Sequence, residues 1–318
     1  MTDRQHRVMR LLFELAFWFS CSFAASGQSV ILGVLEDVPP VYVDDTNKPA
    51  VRVLFQFDGG KWIAFPSDCS DQDCLRRIVV QYPAKVRWSI GLNGRQLAKL
   101  STRVPQWFDF YSHVGLQDID EPSQVPKIGS RSVEFGGFTG EAVYHPLVAN
   151  SEPFFSDPDH WRGSPVPANI QIALHHAFRR ANPKLCKRDQ TDETKSVPFG
   201  YTDAQVRISK ALKSKSGVWI AELHLDNASA CDDVVQFDEP WFVVRSDGST
   251  KYIGEGMWLV DVGDFNNDGR SEILFSIGRY NRGGYELFYD QFAKHVSFEF
   301  SFTDRSFSLP KSYDSTSR

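Results

Sequence analysis

Apolar and polar positions alternate along most of the chain with the two-residue period of a strand that buries one face. Residues 85–92 and 95–102 are two such runs, joined by Asn93-Gly94. Asn-Gly accepts the positive φ angles of a type I′ turn, so this segment predicts a β-hairpin. Asp58-Gly59-Gly60, between runs at 51–57 and 61–65, predicts a second hairpin. Asp247-Gly248, between 240–245 and 249–254, predicts a third. Further strands are expected at 29–36, 205–212, 218–225, 257–262, 272–277, 285–289 and 296–302. One segment breaks the period: Ile170, Leu174, Ala177 and Phe178 share a face at helical spacing, and Pro183 follows. The pattern predicts a mainly β, antiparallel fold, propeller-like or alternatively a β-sandwich, with one short helix at about 168–181. No repeat of fixed period is visible.

Composition supports a packed core. The 318 residues are 42% hydrophobic and 14% aromatic, and the net charge is −5 with no more than two basic residues in a row. Such a charge pattern argues against a nucleic-acid partner, which calls for clustered Lys and Arg.

The N-terminus changes the picture of where the chain works. Arg4, Arg7 and Arg10 precede an apolar run at 11–23 and small residues near Ala24-Ala25, the layout of a secretory signal. The run is short for a membrane span of about 20 residues. The expected organisation is a signal peptide at 1–25, a β-rich domain at 28–303 and a mobile tail at 304–318. The expected location is secreted or periplasmic. The alternative is a chain anchored in the membrane by an uncleaved signal or a lipidated Cys21. No transmembrane span is expected in the mature chain. Removal of Cys21 leaves Cys69, Cys74, Cys186 and Cys231. An even number in an exported chain suggests two disulfides. Of the three possible connectivities, Cys69–Cys74 with Cys186–Cys231 is favoured.

The candidate chemistry is concentrated at 261–274, Asp-Val-Gly-Asp-Phe-Asn-Asn-Asp-Gly-Arg-Ser-Glu-Ile-Leu. Asp264, Asn266, Asp268 and Glu272 place oxygen ligands two or four residues apart, and Arg270 can add its backbone carbonyl. Gly269 permits the sharp turn. Hard oxygens at this spacing suit Ca²⁺. An EF-hand would need a bidentate Glu where Phe275 stands, and helices where the flanks read as strands. The hairpin at 257–289 instead resembles the calcium loop of FG-GAP/VCBS-type repeats of integrin-like β-propellers. That resemblance implies a secreted or surface protein with structural calcium and a binding or adhesive role. It covers about a tenth of the chain, and one such loop stands where the family usually carries several.

Other constellations are weaker. Asp157, Asp159 and His160 form an acidic cluster with a histidine beside Trp161, and could serve a hydrolase. His175 and His176 are neighbours on the helix and project about 100° apart, so they do not chelate one ion well. Nucleophile-elbow, P-loop, dinucleotide and zincin motifs are missing. The expected function is therefore an exported, calcium-stabilised binding or scaffold module for a protein or carbohydrate ligand. The alternative is a secreted hydrolase using loop carboxylates.

Overall fold

A computed structural model describes residues 29–38 and 48–301, apart from 68, 70–71, 106, 109–112, 127–130, 136–137, 144–145, 189–195, 227–238 and 280–281, together with the strand Phe307–Ser308. The segment expected to be a signal, Cys21 and Cys231 fall outside the described residues, as does the expected tail apart from that strand.

The fold is mainly antiparallel β, as the alternation predicts. The N-terminal strands are β1 (Val30–Val38), β2 (Lys48–Asp58), β3 (Lys61–Ala64), β4 (Lys85–Leu92), β5 (Arg95–Arg103), β6 (Leu116–Ile119) and β7 (Leu147–Asn150). They pair in the order β1-β7-β4-β5-β6-β2, and β2 pairs back onto β1, so six strands close into a barrel. β2 divides its outer edge: Ala50–Arg52 pair with β6, and Phe55–Asp58 pair with β3. Trp88 fills the interior, its ring edge 3.2 Å from the position a Cβ would take on Gly33, and its indole donates to Thr102 at 2.8 Å. Asn93 and Gly94 join β4 to β5 at φ +51° and +77°, as a type I′ turn needs.

Two antiparallel meanders follow. The first is β8 (Arg162–Gly163), β9 (Val206–Lys213), β10 (Trp219–Leu225), β11 (Pro240–Val244) and β12 (Thr250–Glu255), paired in that order. The second is β13 (Met257–Gly263), β14 (Glu272–Arg279), β15 (Arg282–Tyr289) and β16 (Lys294–Ser301). They stack face to face, with Ile220, Trp241 and Val243 of the first against Ile273, Phe275 and Phe288 of the second. This stacking is sandwich-like. The opposite face of the second meander, with Leu274, Leu287 and Phe298, packs on the barrel. The opposite face of the first, with Trp219, Leu223 and Phe242, packs on Leu174 and Phe178 of the helix α2 (Ala168–Ala181). The layers therefore run barrel, second meander, first meander, helix. Alternating inward positions explain how one strand serves two cores. Phe275 faces one layer and Leu274 the next.

A single helix was expected; the described residues contain two. The first, α1 (Gln72–Val79), buries Leu75, Ile78 and Val79 in the barrel core. Cys69 is disulfide-bonded to Cys74 in its first turn, as the favoured pairing has it. The disulfide ties Cys69, just before the helix, to its first turn. Cys186 is also disulfide-bonded, with its partner outside the described residues.

Candidate functional site

The acidic loop lies between β13 and β14, at the end of the barrel. Gly263 and Glu272 close the ladder, leaving 264–271 as the turn. Two glycine-like positions shape it, Asn267 at φ +59° and Gly269 at φ +87°. The space around Gly269 would admit a Cβ, so its φ is what favours glycine there.

The loop carboxylates are turned onto loop N–H groups. Asp264 accepts from the amides of Asp268 and Gly269, both at 2.9 Å. Asn266 Oδ1 accepts from the Asp268 amide at 3.1 Å, and its Nδ2 donates to Asp268 Oδ2 at 3.2 Å. Asp268 Oδ1 accepts from the Arg270 amide at 2.9 Å. Glu272 Oε2 accepts from the Phe265 amide at 2.7 Å. The Arg270 guanidinium turns outward to Asp290 at 2.5 Å.

Asp264 and Glu272 are buried, at 3% and 2% exposure, while the loop tip is exposed. Burial raises both acids. Asp264 stands above its ordinary value despite its two amide donors, and Asp268 adds to the rise. Glu272 is pushed up to about 8, chiefly by burial and further by the charges of Asp268 and Asp264. The Trp62 indole N–H lies beside Glu272 and opposes the rise, without reaching the geometry of a full hydrogen bond. The donor chemistry therefore fits a hard cation: oxygen ligands only, close enough for their charges to repel. As placed, no three His, Cys, Asp or Glu side chains among the described residues converge tightly enough to hold an ion.

Asp157 and Asp159, the sequence candidates for a hydrolase, turn out to belong to the same neighbourhood. The strap that leaves β7 crosses the loop on its way to β8. Asn150 Nδ2 donates to the Phe265 carbonyl at 2.8 Å, and the Asp264 amide donates to the Ser156 carbonyl at 2.6 Å. Ser271 Oγ donates to Asp157 at 2.7 Å, and the Ser271 amide donates to Asp159 at 3.0 Å. Asp157 also accepts from the Trp161 amide at 2.6 Å. The Asp159 carbonyl accepts from the Lys215 amide of the first meander at 2.7 Å. Asp157 and Asp159 thus clip loop, barrel and first meander together. His160 is exposed, at φ +53°. Ser271, which sequence reading passed over, is the residue that joins the two acidic clusters. Beside it a cleft of about 310 Å³, counting the space open to solvent, is lined by Asp159, Trp161, Ser214, Ser216, Ser271 and Gln291 among others.

A second polar cluster bridges the barrel and the second meander. Arg52 donates to Glu36 at 2.9 Å and to the Val114 carbonyl at 2.6 Å, and Tyr285 donates to Glu36 at 2.5 Å. The Arg52 guanidinium also lies 4.1 Å from the Phe300 ring centre. Neighbouring His113 is lowered to about 4, first by burial and then by Arg52, with Glu36 opposing.

Among known proteins, no family model, curated sequence or solved structure matches the chain. No helix among the described residues is long and apolar enough to cross a membrane.

Proposed function

We propose that this chain is an exported binding or scaffold module whose loop at 264–272 is held by a structural Ca²⁺. Asp264, Asn266, Asp268 and Glu272 would supply side-chain oxygens, and Arg270 its carbonyl. The observation that carries the reading is the crowding of three carboxylates, two of them buried, at the point where barrel, strap and second meander meet. A divalent ion offsets that repulsion and ties the junction. A structural role is favoured over catalysis because Asp157 and Asp159 are engaged by Ser271 and by backbone amides.

Thermal melting in calcium and in chelator tests this. Saturating Ca²⁺ at about 100 times its Kd stabilises by about 2.7 kcal/mol, several degrees for a chain of this size. Asp264→Ala or Asp268→Ala removes the increment. A melting temperature indifferent to chelator overturns the proposal. Turnover of glycosidase, esterase or phosphatase substrates that is lost with His160→Ala would favour the hydrolase instead.

A further inference from the structure

Between Cys74 and Asp109 the sequence holds seven Lys and Arg residues and no Asp or Glu, in a chain of net charge −5. The fold gathers five of the seven on the β4–β5 hairpin. Alternate residues of a strand share a face. On β5, Lys99, Ser101 and Arg103 are exposed on one face, while Leu100 and Thr102 point into the barrel; a bulge at Leu97 breaks the alternation, and Leu97 and Arg95 are exposed beyond it, toward the turn. On β4, Lys85 and Arg87 are exposed, while Val86 and Trp88 are buried. The register sets Lys85 opposite Arg103 and Arg87 opposite Ser101, which leaves Arg87 diagonal to both Lys99 and Arg103. Opposed residues sit about 5 Å apart at Cβ and diagonal ones about 7–8 Å, and like charges so placed weaken a sheet. Among the described residues only Arg103 of the five has an ion-pair partner, Asp120 at 3.5 Å.

We propose that this hairpin face docks on an anionic phospholipid surface. The charge is complementary and its spread is two-dimensional. The face is an outer barrel wall, so it matches an extended charge layer better than one enclosed ligand. Lys and Arg carry their charge on long stems that can reach headgroups independently. Leu97, 45% exposed among the cations, is placed to enter the headgroup boundary. Each cation near an anionic membrane raises partitioning about fivefold.

The test is co-sedimentation of the full chain with phosphatidylcholine vesicles, with and without phosphatidylglycerol. Retention through the apolar N-terminal segment would be common to both vesicle types, so the difference between them is the readout. Phosphatidylglycerol should increase binding at low salt, and salt should remove the increase. Arg87→Ser with Lys99→Ser should lower partitioning about 25-fold. Leu97→Ser should lower it with no change in charge. Arg162→Ser with Lys184→Ser, exposed cations away from the hairpin, should leave it within about twofold on the same reasoning. The proposal is overturned if phosphatidylglycerol makes no difference to the wild type. It is equally overturned if the two double variants behave alike, or if soluble heparin is bound under conditions where the vesicles are not.

Discussion

Two polar clusters join the barrel to the second meander, and they are built on opposite principles. Around Arg52 the charges are matched. A buried cation faces a half-buried carboxylate, Tyr285 and a carbonyl also hydrogen-bond to the pair, and Phe300 covers the guanidinium. Around Glu272 the charges are alike. Asp264, Asp268 and Glu272 have only amides to receive, and each buried acid is driven toward its neutral form. A matched cluster is complete within the chain. An unmatched one at an equally important junction calls for a counter-charge from outside. The contrast sets Arg52 apart as a structural residue, and it is the ground on which the calcium site is proposed for the acidic loop.

The largest effect should come from unmatching the matched cluster. Arg52→Met leaves the half-buried Glu36 without its cation and should cost about 3 kcal/mol in chemical denaturation, equally with and without calcium. A smaller loss that depends on calcium would blur the distinction between the clusters. Next in size is the calcium increment, about 2.7 kcal/mol near 100 times Kd, which Asp264→Ala should abolish and Arg52→Met should leave intact. His113 sharpens the matched side through pH. Its folded value near 4 lies below the ordinary histidine value of 6.5. As pH falls from 6.5 to 4 the unfolded chain takes up a proton that the folded chain refuses, so stability falls with pH across that window and is unaffected above it. His113→Asn should flatten that slope by roughly 2 kcal/mol in melts between pH 7 and 4. The smallest effect belongs to the strap. Ser271→Ala removes one donor from Asp157 and should cost about 1 kcal/mol. It should also speed hydrogen exchange at the Lys215 amide, which the strap holds through the Asp159 carbonyl.

The local features of this fold were legible in the sequence. The Asn93-Gly94 turn, the flanking strands at 85–92 and the helix at 168–181 are written in turn chemistry and period, and the structure has them. The expected strand at 285–289 is longer, beginning at Arg282, because Gly283 and Gly284 carry no side-chain pattern to read. Helix α1 was missed because its eight residues give barely two turns, too few for a helical period to stand out. Barrel closure was illegible. It depends on partners such as Leu32 and Asn150, which no local pattern links. The roles of Asp157 and Asp159 were hidden for the same reason, since their donor Ser271 lies more than a hundred residues away. The basic hairpin was legible but overlooked. A search for consecutive cations misses charges that a strand sets at every second or fourth position.

The layer order has a consequence for how the molecule is made. The last of the three large sheets in the sequence, β13 to β16, lies between two bodies synthesised earlier, and each of them buries an apolar face against it. Emerging N-terminus first, the barrel and the first meander must wait with those faces uncovered until the final strands arrive. The interval between making the first meander and making the second is thus when aggregation competes most strongly with folding.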